Sequence, residues 1–353
     1  MSLPLPPWSI AQFDPRSPAF AADPYPYYAR LRAADPLLYL PAVRRWWVTS
    51  YPLAVQVLQD RRFVWRATAE PGADLLPDQA HLTGLPDSPM AMDPPDHARL
   101  RMLVSKALTP RVMESLRSQI AAVAGELIDR AEPAGRMELM ADFALPLLDR
   151  LAETAAQRRG EPGPGFGGQL IRAVEEGRPL SGGELPATSL LLLAAGRQII
   201  THLLGTGSLL LLQHPEQLAL LRSRPDLITT AMEELLRLAS PLQRFGLQAT
   251  EDLELGGRAI RQGELLSVVV AAANRDPAVF PEPDRLDITR SPNPHLALGR
   301  GNHFCLGAPL VRLAAEIGLL TLLERLPGLA LDGEPRWQPS TVVRGLQALP
   351  VRF

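Results

Sequence analysis

The sequence predicts a mainly α-helical protein with a small β component. Apolar residues recur at helical spacing through most of 96–240 and again after Cys305, whereas runs with the alternation typical of strands are short. Of the 353 residues, 46% are hydrophobic, which is enough to bury a large core. We therefore expect helices to form most of the interior and strands to form small sheets beside them.

The first sixty residues predict short elements after an irregular, Pro-rich arm. A helix is expected around Tyr25–Ala34, and LLYLPAVRRWWVTS (37–50) alternates like two strands joined by a turn. A second helix is expected over 52–59. Residues 66–91 contain several Pro, Gly and Asp residues and are expected to form a loop that contributes to a substrate pocket.

The middle of the chain has a helical pattern with one strong interruption. One helix is expected from Asp96 and another after Pro110, and GEPGPGFGG (160–168) then breaks the pattern. Neither half of the chain alone contains all the motifs described below. A single domain over 1–353 is therefore expected.

The second half of the chain begins with a strongly apolar segment, 185–212. Arg197, Gln198 and His202 interrupt it, so it predicts a buried helix rather than a membrane span. Two more helices are expected before residue 240, and residues 244–270 have strand and turn character. A helix is expected from just after Cys305 to about residue 325, followed by short strands at the end.

Composition excludes several classes of protein. The formal net charge is −2 with acids and bases mixed along the chain, which does not favour a nucleic-acid partner. One cysteine excludes an internal disulfide and cysteine-rich zinc or iron–sulfur sites. The N-terminal residues lack a basic start followed by an apolar run, so no signal peptide and a cytoplasmic location are expected.

The single cysteine, Cys305, lies in GRGNHFCLG (299–307). A lone cysteine is most often an inert buried thiol. Three features favour a ligand instead: the glycines allow close approach of a flat group, a helix begins directly afterwards with Pro309 in its first turn, and His303 can donate a hydrogen bond. A helix N-terminus lowers the pKa of a thiol placed there. A haem needs one such protein ligand, because its porphyrin supplies the other four.

Several segments in order resemble the cytochrome P450 family. ALGRGNHFCLGAPLVRLAAEIG is similar to the family's cysteine-ligand loop, with Leu298 where an aromatic residue is usual. MDPPDHARLRMLVSKALTP (92–110) resembles the helix that contacts the haem propionates. EELLR and PEPDRLD resemble the segments of a buried ion network, and AAANRDPAVFPEP and RGLQALPV also match. The resemblance covers residues 14–353.

The resemblance implies haem b as the cofactor and Cys305 as its axial iron ligand. It also implies that seven other residues bind the haem: His97, Arg101, Arg244, Leu298, Gly299, His303 and Gly307. Arg244 takes this role in place of Leu247, where the family commonly has an arginine, if the strand is shifted. Glu234, Arg237 and Arg285 are implied to form the structural ion network, in which Glu234 and Arg237 share one helix face.

The helix expected to cross the haem departs from the family. An acid and a threonine normally help deliver protons to bound dioxygen, and Gln198 and Ile199 stand at those positions. Gln198 can hydrogen-bond but cannot titrate, and Ile199 can do neither. Thr201 faces roughly the opposite side unless the helix register shifts. Two alternatives are open: protons come from the substrate or water, or Arg197 recruits an anionic substrate or a peroxide-assisting carboxylate. If neither holds for Arg197, its side chain points to solvent or a propionate.

The chain is also shorter than the family pattern, which indicates an internal deletion near residues 150–170. The missing part corresponds to the helices that normally cover the substrate. An open distal face is therefore expected, one that admits a bulky, peptidyl or carrier-bound substrate and excludes water poorly.

Two hypotheses of function follow. The first is a haem-thiolate oxidoreductase of specialised metabolism, a monooxygenase or an oxidative-coupling enzyme, that draws electrons from a ferredoxin-type partner or uses peroxide. The second is a catalytically impaired helper or scaffold for a partner enzyme. The altered helix favours the second hypothesis, whereas the intact cysteine loop favours the first.

Overall fold

A computed structural model describes residues 13–65, 92–157 and 184–353 of the chain. Its helices are α1 (Pro18–Ala22), α2 (Tyr25–Ala34), α3 (Tyr51–Gln59), α4 (Asp96–Ala107), α5 (Pro110–Ala131), α6 (Leu145–Gln157), α7 (Glu184–Gln213), α8 (Pro215–Ser223), α9 (Ile228–Ala239), α10 (Val270–Ala273) and α11 (Ala308–Arg325). A π-helical turn, Leu139–Ala144, leads directly into α6. The helices predicted from sequence in these ranges are confirmed, with ends that differ by one or two residues.

The strands form four small sheets. They are β1 (Leu37–Leu40), β2 (Arg45–Val48), β3 (Phe63–Val64), β4 (Arg136–Glu138), β5 (Phe245–Ala249), β6 (Leu253–Leu255), β7 (Arg258–Ile260), β8 (Leu265–Val268), β9 (Ala330–Leu331), β10 (Arg336–Trp337), β11 (Leu346–Ala348) and β12 (Pro350–Arg352). The largest sheet has the order β1-β2-β8-β5-β3, and only its β2–β8 pair is parallel. The predicted hairpin at 37–50 is thus confirmed as β1–β2.

Sequence features explain where the long helices begin. At α5, the side chain of Thr109 accepts a hydrogen bond from the Val112 N–H, and Pro110 occupies the first helical position, where a missing N–H costs nothing. At α11, Gly307 precedes the helix and Pro309 lies in its first turn. These local features fix the N-terminus of α11 three residues after Cys305.

The main core lies between helices from both sides of residues 158–183. Helix α11 packs against α5 and α7, and its buried residues join theirs in one cluster. Strand β12 near the C-terminus pairs with β4, so the two parts of the chain also share a sheet. Residues 66–91 and 160–168, where we predicted a loop and a break, lie outside the described residues. The expectation of one domain over 1–353 therefore stays a prediction. No helix among the described residues is both long and apolar enough to cross a membrane.

A buried ion network joins α9 to the loop that follows α10. Glu234 and Arg237 are fully buried, and the Arg237 Nε and Nη2 donate to the two Glu234 carboxylate oxygens at 2.8 and 2.9 Å. The prediction that Arg285 is the third member of this network is wrong, because its side chain is 60% exposed and pairs with Glu282. Arg290 takes that place and donates from its Nε to Glu234 at 3.2 Å. Arg285 contributes only its main-chain carbonyl, which accepts from Arg237 at 3.3 Å.

Candidate functional site

The loop before α11 holds Cys305 by its backbone. The Cys305 N–H donates to the Leu298 carbonyl at 2.8 Å, and the Gly299 N–H donates to the Leu296 carbonyl at 2.9 Å. A single turn at Gly301–His303 closes the loop, and the Phe304 N–H donates back to the Gly301 carbonyl at 3.1 Å. Cys305 is therefore presented from a tightly bonded loop at the N-terminus of a long helix.

Two glycines of this loop are required by its geometry. Gly299 and Gly301 have φ values of +75° and +73°, in the left-handed region that side chains other than glycine rarely adopt. A Cβ at Gly301 would also collide with the carbonyl oxygen of Leu58 in α3. The loop thus lies directly on α3, which the sequence did not predict.

The surroundings of the Cys305 sulfur shift the pKa of its thiol in opposite directions. Burial raises the pKa of the thiol, whereas hydrogen bonding to backbone groups at Gly307 and Ala308 and the charges of Arg101 and Arg312 lower it. The predicted lowering by the helix N-terminus is present, but burial outweighs it in this environment. A bound cation at the sulfur would favour the thiolate further.

Three predicted residues meet beside this loop. The rings of His97 and His303 stack with centroids 4.0 Å apart. The charge of Arg101 acts on Cys305, His97 and His303, which places the guanidinium at the same site. Burial and, to a smaller extent, His97 and the charge of Arg101 together lower the pKa of His303 to about 3, so the ring is neutral near pH 7. A neutral imidazole carries one N–H, so His303 has one hydrogen bond to donate.

Aromatic residues that the sequence analysis missed enclose the same site. Trp65 stacks on the other side of His303 with centroids 4.6 Å apart, and it contacts Phe245 edge to face at 5.1 Å. A Cβ at Gly299 would lie 3.4 Å from the Phe245 ring. Both aromatic residues come from segments far from Cys305 in sequence, and no local motif indicates them.

The residues present fit a haem. The Nε2 atom of His303 is buried and has no hydrogen-bond partner among the described residues, at 3.9 Å from the nearest Asp93 carboxylate oxygen. A buried polar atom of this kind normally has a partner. With the cationic Arg101 beside it, the site suits a carboxylate-bearing group, and a haem propionate is one. Cys305 would supply the single ligand that such a cofactor requires.

The remaining predicted haem contacts described by the structure are those of Arg244, Leu298 and Gly307. Arg244 lies on the sheet face of Gly246 and Ser267, whereas Phe245 lies on the opposite face. Its Nη1 donates to the Ser267 hydroxyl at 3.1 Å, and its Nη2 donates to the Thr341 hydroxyl at 3.2 Å. These contacts engage the guanidinium outside the cysteine loop, and haem binding by Arg244 stays a prediction. Leu298 is buried beside the loop, and a Cβ at Gly307 would lie 4.0 Å from the Cys305 sulfur, so both positions border the site.

The four residues of α7 that were predicted to act in catalysis differ in their contacts. Arg197 points outward and forms a two-bond ion pair with Asp149 of α6, in which both side chains are about half exposed. The Thr201 hydroxyl is buried and donates to the Ala144 carbonyl at 3.4 Å, so its proton is engaged by the main chain. Gln198 and Ile199 are half-buried, and Ile199 packs against the main core. These contacts favour the alternative in which Arg197 points to solvent over the one in which it recruits a substrate.

Replacing Arg197 with alanine is expected to have a small effect. An exposed ion pair contributes at most about 1 kcal/mol to folding, so the free energy of unfolding should fall by no more than that. Haem content and the KM for an anionic substrate should not change, because the guanidinium is bound to Asp149. Urea denaturation and steady-state kinetics measure these quantities, with Asp149→Asn as the matched variant. A large rise in KM in Arg197→Ala alone would return this residue to the substrate site.

The chain matches one protein-family model and many curated proteins. The model described as "Cytochrome P450" matches residues 221–339. The chain is 36% identical to the "Biotin biosynthesis cytochrome P450" of Bacillus subtilis (strain 168) over 392 positions, which cover 96% of this chain and 98% of that protein. It is 37% identical to "Cytochrome P450 monooxygenase PikC" of Streptomyces venezuelae, over 95% of this chain and 92% of that one. The first alignment is longer than the 353 residues of the chain, so that relative contains residues which this chain lacks.

Solved structures give the same result. The structure of P450BioI in complex with an acyl carrier protein ligated to hexadec-9Z-enoic acid has a TM-score of 0.85 at 36% identity, and covers 96% of this chain and 100% of that chain. The Bacillus subtilis 168 bacillaene polyketide synthase cytochrome P450 PksS has a TM-score of 0.84 at 32% identity, with 97% and 99% covered. These likenesses confirm the predicted mainly α fold and its small β component.

Proposed function

Because the chain belongs to the cytochrome P450 family of haem-thiolate enzymes, whose cofactor is haem b, we propose that Cys305 is its axial iron ligand and that the protein oxidises an organic substrate of specialised metabolism. The observation that carries this proposal is the meeting of Cys305 with His97, Arg101 and His303 in one partly buried site. Its support is strongest at His303, whose buried Nε2 has no hydrogen-bond partner among the described residues.

Different residues of the site would bind different parts of the cofactor. Backbone groups at Gly307 and Ala308 stabilise negative charge on the Cys305 sulfur, and His303 and Arg101 offer a donor and a cation to a carboxylate. Trp65 packs over His303 and limits the access of water to its ring. The bound haem supplies the oxidising chemistry, for which the thiolate ligand provides electron density that favours O–O cleavage.

Proton delivery is where this chain differs from its family. Neither Gln198 nor Ile199 can titrate, Arg197 is bound to Asp149, and the Thr201 hydroxyl is bound to a main-chain carbonyl. No described side chain from 197 to 201 therefore offers the acid–alcohol pair. We propose that protons come from water or from the substrate, which favours peroxide-driven oxidation or oxidative coupling over ordinary hydroxylation.

For the substrate, we propose a bulky acyl or peptidyl group attached to a carrier protein. The chain is shorter than its relatives, and the segment that would carry the covering helices is the one predicted to be deleted. The predicted deletion near 150–170 and the pocket loop at 66–91 lie largely outside the described residues. A relative of 36% identity has been solved with an acyl carrier protein. Electrons for a monooxygenase cycle would come from a separate ferredoxin-type partner in the cytoplasm.

The proposal is tested by comparing two sources of oxidant on two forms of one substrate. The haem-loaded protein is supplied with hydrogen peroxide, or with ferredoxin, ferredoxin reductase and NADPH, and with a long-chain fatty acid that is free or attached to acyl carrier protein. Oxidised product is expected mainly from the carrier-bound form and more efficiently with peroxide. The variant Gln198→Glu/Ile199→Thr should increase the product formed per electron in the ferredoxin arm, because it restores a titratable group and a hydroxyl.

The helper hypothesis gives a different outcome in the same experiment. A protein that binds haem with a thiolate spectrum but gives no product in any arm would support a helper. Efficient ferredoxin-driven turnover that is unaffected by the double variant would overturn the proposal on proton delivery.

A further inference from the structure

A second carboxylate on α9 contacts both flanks of the cysteine loop. Glu233 precedes the buried Glu234, but its side chain faces α11 instead of the ion network. Its two oxygens accept from the Arg312 Nε at 2.6 Å and from the Arg312 Nη2 at 2.8 Å. The Nε2 atom of His295 lies 3.1 Å from the same carboxylate. One side chain therefore connects a residue before the loop with a residue after it.

These contacts enclose the loop that carries the cysteine. His295 precedes Cys305 by ten positions and Arg312 follows it by seven. The Nδ1 atom of His295 accepts the Ala297 N–H at 3.2 Å, so the ring proton must be on Nε2, which therefore donates to Glu233. The bidentate pair with Arg312 fixes the first two turns of α11 in orientation as well as distance.

The same residues act on the charge at the sulfur. The positive charge of Arg312 lowers the pKa of the Cys305 thiol. Burial alone would raise the pKa of Glu233, but hydrogen bonds from Arg312 and His295 bring it to about 2, so this carboxylate is ionised near pH 7. Glu233 consequently offsets part of the Arg312 charge that the sulfur experiences.

We propose that Glu233 is a positioning residue for Cys305, which clamps the cysteine loop between His295 and Arg312 and sets how much of the Arg312 charge reaches the sulfur. Loss of the clamp would let the loop shift and weaken the hold on haem. Loss of the carboxylate charge alone would leave Arg312 uncompensated and would stabilise the reduced iron, which carries one more electron.

This inference rests on the assignment of Cys305 as the haem ligand, but not on any substrate. Its readouts are the spectrum of the reduced carbon monoxide complex, the rate at which haem transfers to apomyoglobin, and the reduction potential. A wild-type protein without a thiolate spectrum would refute the proposed function. A wild-type protein with that spectrum and an unaltered Glu233→Gln variant would refute only the present inference.

Two substitutions should move the potential in opposite directions. Glu233→Gln is expected to raise the haem reduction potential and Arg312→Gln to lower it, while the double variant returns towards wild type. Both single variants should lose haem faster, by about 10-fold, as is typical when a residue supporting a ligand is removed. Arg312→Lys keeps the charge but not the bidentate geometry, so it should keep the potential and still lose haem faster.

The control lies at the far end of the same helix. Arg325 of α11 pairs with Asp129 of α5 at 2.6 Å, so Asp129→Asn breaks an arginine–carboxylate contact on α11 about four turns from Arg312. It should change neither the potential nor the haem transfer rate. A shift in potential of the same sign in Glu233→Gln and Arg312→Gln, or an equal effect in Asp129→Asn, would overturn the inference, because a merely structural role gives no change of sign.

Discussion

Replacing Cys305 with serine is expected to abolish the thiolate spectrum of the reduced carbon monoxide complex and to reduce oxidation of substrate to an undetectable level. A serine hydroxyl in this loop stays protonated near neutral pH and gives iron far less electron density than a thiolate. The backbone groups at Gly307 and Ala308 and the charges of Arg101 and Arg312 that act on the sulfur would then have no anion to stabilise. Spectroscopy of freshly purified protein measures the ligand directly, independently of any substrate.

The matched control is Asn302→Ala in the same loop. Asn302 is exposed on the turn that precedes Cys305, so its variant should keep both the spectrum and haem content. The Cys305→Ser variant is expected to retain part of its haem, because His97, Arg101 and His303 remain to hold a carboxylate. A thiolate spectrum that survives in Cys305→Ser would therefore disprove the ligand assignment, even if haem content were normal.

The sequence predicted the part of the site that consists of local motifs. Cys305, His303 and the two φ-positive glycines lie within seven residues, and His97 and Arg101 are one helical turn apart. The resemblance of these motifs, in this order, to the cytochrome P450 family is what indicated them. Trp65 and Phe245 could not be found in this way, because they reach His303 and Gly299 only through the pairing of β3 with β5.

The error at Arg285 and the untested role of Arg244 have a common physical cause. Arg285 and Arg290 lie five residues apart in an irregular loop, where no helical or strand period indicates which side chain points inward. Likewise, Arg244 immediately precedes β5, and the face on which it lies depends on the register with β8. Glu233 and Glu234 are adjacent and chemically identical, and only the packing of α9 against α11 separates their roles.

The largest loss of stability is expected from Arg237→Leu. Arg237 donates to both Glu234 oxygens and also to the main-chain carbonyls of Asn274 and Pro283 at 2.8 and 2.7 Å, with no exposure to solvent. Its removal leaves those carbonyls without a donor and leaves Glu234 with weaker partners, of which Arg290 lies at 3.2 Å. Breaking a buried pair by removing one member costs about 3–5 kcal/mol, so the free energy of unfolding should fall by that amount.

Arg285→Leu is the decisive comparison, because the resemblance to the family assigns Arg285 to the same ion network as Arg237. Its side chain is 60% exposed and pairs only with the exposed Glu282, so the expected change is within about 0.5 kcal/mol. The loss of stability in Arg290→Leu should lie between the other two, since Asn293 and Arg237 continue to bind Glu234.

Urea denaturation followed by circular dichroism measures the stability of all three variants, and haem content reports whether the cysteine loop keeps its position. Equal losses in Arg285→Leu and Arg290→Leu would mean that the network extends through Arg285 after all. A loss confined to Arg237→Leu and Arg290→Leu would establish that the third cation of the network is contributed five residues later than the motif predicts.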